Sequence, residues 1–309
     1  MSMASDRPST LAPSLAPNSQ SDRPPSSGLV PESDRPPSAA LTPESDRPRD
    51  IPLTPESDRP SSSGLDPEND RPGAWGTLYG ISAGPGDPEL ITVKGLGYLQ
   101  QCPIVAFPAG RDDRPGMAQQ IIQRWLLPHQ QPLPLYFPYV RPEETATLEA
   151  AWQAAAQTVG IPLSQGQDVA FVAEGDVSFY STFGYLAQAV EQAYPQVTIV
   201  KVPGVCSPLA AAAVAGQPLT VWQQRLWVLP GLYQVEALGT ALDRSEVVVV
   251  MKFSSVYGQV WRLLEARGLL ARSYIVERCG WPDERLYRDL TAYPQLSLSY
   301  FSVLVVAQG

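Results

Sequence analysis

Histidine and cysteine are nearly absent from this chain. The single histidine, His129, argues against a histidine-rich metal centre and against a Ser-His-Asp triad. Its setting, LLPHQQPLP, reads as a loop rather than as the site of a general base. Three cysteines (Cys102, Cys206 and Cys279) are too few and too scattered for a disulfide framework or a C-x-x-C metal site, which implies a reducing compartment. Basic residues are outnumbered as well: 22 lysines and arginines face 31 acidic groups, a formal net charge of −9. No global positive field therefore draws the chain to nucleic acid or to an anionic membrane. Long hydrophobic stretches are missing. The longest apolar runs, such as VVVVM at 247–251, have strand length, and the N-terminus shows no basic segment leading into an apolar one. The expectation is a soluble, cytoplasmic protein with no protein-bound metal and no membrane span.

Proline is abundant and unevenly placed, with 15 of the 33 prolines in residues 1–75. SDRP begins at 21, 33, 45 and 57 and NDRP at 69, a tandem repeat of period 12, with a looser copy from Ser5. Each unit holds about one leucine and two or three prolines, too little to bury a core, and proline forbids a regular helix. Residues 1–75 thus read as a disordered tail with polyproline tendency. It serves as a spacer or docking arm, or it is a tolerated repeat expansion. A chain beginning at Trp75 is expected to keep its melting temperature and any catalytic turnover. A large loss in either would show that the repeats fold against the body.

Beyond Trp75, strand and helix patterns alternate, which indicates α/β layering. GTLYGIS (76–82) reads as a strand. It leads through AGPGD into one helix over PELITVKGLGYLQQC, with Asp87 as N-cap and Pro88 at the first helical position. Further strands are expected at PIVAFP, DVAFVAEGD, VTIVKVPG, RLWVLPG, EVVVVMKF, ARSYIVER and YFSVLVVAQ. Helices are expected near 116–127, over 142–160 and across FYSTFGYLAQAVEQA, then in SPLAAAAVAG, YQVEALGTAL and VYGQVWRLLEARG. The division expected is two α/β domains, 76–203 and 204–309, with a ligand cleft between them.

Four turns carry the chemistry. AGPGDPEL lies between a strand and a helix, but it lacks the third glycine of GxGxxG and the GK[ST] of a P-loop. Pro85 between two glycines makes a stiff turn, either a ligand contact or a plain helix cap. AEGDVSFYST ends a buried strand at the sheet edge where ligands collect. There Asp176 caps the next helix or accepts from a ligand, and Ser181 and Thr182 are helix-face residues or polar contacts. In VPGVCSPLAAAA, Cys206 has no histidine nearby in sequence to activate it and reads as a small packing or binding residue. VVVVMK delivers Met251 and Lys252 to the end of a buried strand.

Taken in order, GTLYGISAGPGDPELITVKGL, PIVAFPAG, EGDVSFYSTFGYL, VPGVCSPLAAAAVAGQPL, VVVVMKF and YFSVLVV resemble the tetrapyrrole (corrin and porphyrin) methylases over residues 76–309. The resemblance implies a two-domain α/β fold, each domain a mixed sheet flanked by helices. S-adenosylmethionine would be held in the cleft as methyl donor, a small tetrapyrrole would be the substrate, and the assembly would be a homodimer. It assigns Glu174, Gly175, Asp176, Phe179, Cys206, Ser207 and Met251 to the cofactor and has Pro85 contact the cofactor or shape the substrate trough, and Ser181 and Thr182 are taken as further cofactor contacts. It names no catalytic base. Relatives that methylate uroporphyrinogen carry an aspartate after the second strand, where this chain has Pro108 and Ala109. That departure favours the branch acting at carbon 20 of precorrin-2 or its cobalt form. The carboxylates of such a substrate need local cations, for which Arg111, Arg114, Arg141 and Lys252 are the candidates. A sister methylase acting at another ring carbon, a nicotinamide enzyme, and a non-catalytic protein on the same scaffold are the alternatives.

Overall fold

A computed structural model describes residues 74–110, 115–138 and 145–308. The repeat tail through residue 73 lies outside the described residues, as do Arg111, Arg114 and Arg141. Two five-stranded sheets form the body. The first contains β1 (Leu78–Ser82), β2 (Ile104–Pro108), β3 (Gln131–Leu135), β4 (Val169–Ala173) and β5 (Ile199–Val202), in the order β3-β2-β4-β1-β5. The second contains β6 (Leu226–Leu229), β7 (Val247–Met251), β8 (Ser273–Glu277), β9 (Arg285–Arg288) and β10 (Ser302–Ala307), in the order β6-β7-β10-β8-β9.

Every pairing in the first sheet is parallel, so the expected mixed sheet is found only in the second. The reason lies in the connections. Helices α1 (Val93–Gln101), α2 (Met117–Ile122), α3 (Thr145–Ser164) and α4 (Phe183–Ala193) separate the five strands in turn, and a helical crossover returns the chain parallel. In the second sheet β6 is parallel to β7, while β10 runs antiparallel between β7 and β8. Strand β4 (VAFVA) is buried at all five positions, as its continuous apolar character requires of a strand covered on both faces, and β8 (SYIVE) is buried throughout too, with Ser273 and Glu277 at its ends hydrogen-bonded. Each fully buried valine, leucine or phenylalanine contributes about 1.5–3 kcal/mol relative to exposure.

Two strands were not legible as such. β3 (QPLPL) contains two prolines, and it is tolerated because it pairs only with β2 at the sheet edge. β9 is four residues long with both ends exposed and pairs only with β8. Several helices differ from expectation in extent, α3 running on through Pro162 to Ser164 rather than ending at 160. PELITVK does not form one helix: Asp87 caps a three-residue 3-10 turn, Pro88–Leu90, and Thr92 caps α1 separately through its hydroxyl to Gly95 N. α4 begins at Phe183, four residues later than expected, because residues 179–182 form the approach to the helix and line a cavity.

The remaining helices, α5 (Ser207–Val214), α6 (Glu236–Leu242) and α7 (Tyr257–Ala266), belong with the second sheet. Ala210 and Ala211 of α5 pack with Val247, Val249, Val276 and Val305, and Leu238, Val260 and Leu264 pack on its other cluster with Val248 and Leu304. Among the described residues, no helix is long and apolar enough to cross a membrane.

Candidate functional site

The parallel strands of the first sheet all release their carboxyl ends on one side, where open α/β sheets bind ligands. β7 and β8 release theirs beside the start of antiparallel β10, since Met251 pairs with Val303 and Glu277 with Ser302. These strand ends, joined by the start of α5, surround a cavity of about 710 Å3. All ten residues expected at a cofactor site line it: Pro85, Glu174, Gly175, Asp176, Phe179, Ser181, Thr182, Cys206, Ser207 and Met251. Lys252 lines it too, whereas His129 sits exposed on a turn and does not.

The walls are fixed by backbone geometry and a few polar side chains. Gly84 and Gly175 exchange two backbone hydrogen bonds, 2.8 and 3.1 Å, which joins the turn after β1 to the turn after β4. Both have left-handed φ, +79° and +72°, a conformation strained for any residue with a Cβ. Ser82, fully buried at the end of β1, donates to Val202 O at 2.7 Å and accepts from Val177 N at 2.9 Å, tying together the exits of β4 and β5. Asp176 completes this junction. Its carboxylate accepts from Ser178 N at 2.7 Å and from Gly204 N at 2.6 Å, 28 residues away. It caps no helix, because the N-cap of α4 is Thr182 and makes no side-chain cap bond.

The cavity wall holds two carboxyls, Glu174 and Asp176, and two cations, Lys252 and Arg278. Glu174 is half-buried in the wall, and burial pushes its carboxyl up to about 7, against the pull of Lys252 and Arg278. No hydrogen bond among the described residues engages that carboxyl, so ligand or solvent must solvate it. Lys252 sits just after β7 with its ammonium 5.5 Å from the Tyr300 ring centroid. Arg278, just after β8, donates its Nε to Asp283 at 2.7 Å, and its backbone N–H bonds Phe301 O. Of the five described non-glycine residues with positive φ, three (Tyr180, Lys252 and Arg278) line this cavity. Such conformations persist where surrounding structure enforces them, and they concentrate at functional sites.

Tyr300 was not singled out by sequence reading. The family resemblance points to a further contact near the ERCG turn (277–280) without fixing its residue. Arg278 is the member of that turn with a charged side chain on the cavity. The apolar wall holds Phe179, packed edge-on to Tyr180 at 4.7 Å, and Met251, whose sulfur accepts from Ser207 Oγ at 3.7 Å. The thiols of Cys102 and Cys279 are pushed up to about 12, chiefly by burial, which leaves them inert. Among the described residues, no group of three or more His, Cys, Asp or Glu side chains is placed to hold a metal ion.

The chain is 33% identical over 243 residues to the cobalamin biosynthesis protein CobIJ of Mycobacterium tuberculosis, covering 76% of this chain and 47% of that protein. It thus spans about half the length of that relative. It is 30% identical over 237 residues to a precorrin-2 C(20)-methyltransferase of a Sinorhizobium species, covering 75% of this chain and 95% of the relative. A cobalt-precorrin-2 C(20)-methyltransferase of Salmonella typhimurium is 31% identical, with 75% and 96% covered. Precorrin-4 C(11)-methyltransferases also match, at 27% identity for that of Pseudomonas aeruginosa. Among solved structures, uroporphyrin-III C-methyltransferase from Thermus thermophilus, complexed with S-adenosyl homocysteine, superposes with a TM-score of 0.53. It is 21% identical and the match covers 75% of this chain and 98% of that one, a likeness of fold. Residues 77–292 match the family of Tetrapyrrole (Corrin/Porphyrin) Methylases, and the chain belongs to that family.

Proposed function

We propose that this chain transfers a methyl group from S-adenosylmethionine to carbon 20 of precorrin-2 or its cobalt-containing counterpart, in cobalamin biosynthesis. The observation that carries the reading is the single cavity in which the GPG turn, the EGD loop, the Cys206–Ser207 pair and Met251 meet two cations, Lys252 and Arg278. The C(20) relatives matched over nearly their whole length support this carbon, as does Pro108–Ala109 in place of an aspartate.

The residues present fit the cofactor. A Cβ built on Gly175 would meet nothing within 4 Å, so the loop leaves open space beside its backbone. Phe179 and Met251 offer an apolar surface for a base, and Glu174 offers a carboxyl to a cationic ligand. When bound, the sulfonium supplies an activated methyl group. The protein then has to align donor with acceptor and exclude water, effects worth about 7–11 kcal/mol in well-oriented systems. Pro85, Gly175 and the loop fixed by Asp176 hold the donor side, with Ser181, Thr182, Cys206 and Ser207 around it. Lys252 and Arg278 face the acceptor's carboxylates, and Arg111 joins them in the proposal. We further propose that the body works as two domains meeting near residue 203, in a homodimer. Sedimentation equilibrium tests the dimer.

Calorimetric titration should show S-adenosylhomocysteine binding and no binding of NAD. Incubation with 13C-methyl-labelled cofactor and precorrin-2, with and without cobalt, should place the label at carbon 20. Label at another carbon would identify a sister methylase, and binding without turnover would favour a non-catalytic protein.

Cys206 tests the division of labour. It stands at the N-cap of α5 without a side-chain cap bond and has no histidine partner in the cavity. Cys206→Ser places a better N-cap residue there, so stability should hold or rise by about 0.5–1 kcal/mol, with turnover largely retained. Complete inactivation with unchanged cofactor binding would make Cys206 a nucleophile.

A further inference from the structure

The turn after β8 reaches across to the first sheet. Trp281 packs against the apolar cluster that holds Ile81, Leu99 and Phe107 of the first sheet's core, although its own chain neighbours belong to the second. Its indole Nε1 donates to Pro85 O at 3.1 Å, 196 residues away in sequence. Its ring carries the Arg278 guanidinium at 4.9 Å. The two turns meet without clearance: a Cβ on Gly86 would lie 2.3 Å from Cys279 O and 2.5 Å from the Trp281 ring, and one on Gly280 would lie 2.5 Å from Asp87 N. The turn is stiff in itself, since Gly280 N donates to Glu284 at 2.7 Å and Trp281 N to Arg278 O at 3.0 Å. Trp281 does not line the cavity, yet the two residues it holds, Pro85 and Arg278, both do.

We infer that Trp281 is a positioning residue that sets the separation of the donor and acceptor walls, fixing Pro85 through its N–H and Arg278 through its ring face. The inference rests on the methyltransferase reading, in which Pro85 serves the cofactor and Arg278 the acceptor's carboxylates. In-line transfer tolerates little error in the distance between donor and acceptor, so one side chain holding both walls bears on rate as well as on binding. Trp125 supplies an internal comparison. Its Nε1 donates to Pro88 O at 3.0 Å, holding the same turn from the first-sheet side, and its ring carries Arg124 rather than Arg278.

Three variants separate positioning from a merely structural role. Trp281→Phe removes the donor and keeps the ring. It should weaken S-adenosylhomocysteine about two- to tenfold, the loss of one neutral hydrogen bond, with acceptor KM close to wild type. Trp281→Leu removes both contacts and should weaken the cofactor similarly, while raising acceptor KM about two- to thirtyfold and lowering kcat, since cation–π contacts are worth about 0.5–2 kcal/mol. Trp125→Leu should weaken the cofactor and leave acceptor KM unchanged. All are measured well below their melting temperatures, with full-length protein. If Trp281→Leu and Trp125→Leu lower melting temperature alike and share one pattern of Kd and KM, coupling between the walls is refuted. If wild type binds the cofactor product but methylates neither form of precorrin-2, the functional reading fails. The cofactor titrations of the Trp281 variants then decide the Pro85 contact alone, and unchanged affinity in both overturns it.

Discussion

Asp176→Ala should lose cofactor affinity and stability together. The wild-type carboxylate satisfies two backbone donors, Ser178 N and Gly204 N, and by doing so pins the β4 exit to the loop entering α5. Charge-assisted bonds of this kind contribute about 1.5–3 kcal/mol each, and a donor left without its partner costs about 1–3 kcal/mol. The Gly204 bond is partly buried and the Ser178 bond exposed, so the first carries most of the effect. Release of Gly204 also frees the segment that leads into Cys206 and Ser207, both on the cavity wall. We expect S-adenosylhomocysteine affinity to fall about ten- to a hundredfold and unfolding free energy to fall by about 2–3 kcal/mol. Asp176→Asn should be intermediate, since its amide oxygen can take one donor while its NH2 group faces the other. Calorimetric titration beside a thermal melt reads both quantities. A destabilised protein with undiminished affinity would mean that the EGD loop shapes the fold and not the ligand site.

Asp176 also shows where sequence reading stops. Its position in a Gly-Asp turn after a buried strand was legible, and so was its place at the edge where a ligand binds. Its partner was not, because Gly204 N is brought near only by the parallel pairing of β1 with β4 and β5. The same division runs through the fold. Apolar runs such as VAFVA and VVVVM announced strands β4 and β7 because local composition alone decides their burial. QPLPL did not announce β3, since its strand state depends on an edge position that no local pattern encodes. The start of α4 was misplaced for a related reason: FYST has helix-compatible residues, but Tyr180 is held at φ +53° in the approach to the helix. Within the cavity, sequence reading named residues on loops between consecutive elements, and the structure brings them together. Trp281 escaped, since its meaning comes from contact with a turn nearly two hundred residues earlier.

Glu174→Gln should make the protein more stable above neutral pH and less able to bind its cofactor. Burial raises the carboxyl from the ordinary range near 4.5 to about 7, so the folded state holds this proton more tightly than the unfolded state. Below about pH 4.5 both states are protonated and the residue costs nothing. As pH rises from there toward 7 the unfolded chain ionises first, and stability falls by up to about 1.4 kcal/mol per pH unit. Above 7 the penalty is complete, on the order of 3 kcal/mol. Glutamine removes it. The variant should therefore melt with wild type near pH 4.5 and above it by roughly 5–10 °C at pH 8. A cationic ligand in the cavity would favour the carboxylate, so S-adenosylmethionine binding near pH 6 should release up to about one proton. The release is read from binding enthalpies in buffers of different ionisation heat, and Glu174→Gln should abolish it. Melting curves for the two proteins that stay parallel from pH 5 to 8 would show that Glu174 carries no such penalty. Proton release surviving in the variant would place the charge that meets the ligand elsewhere.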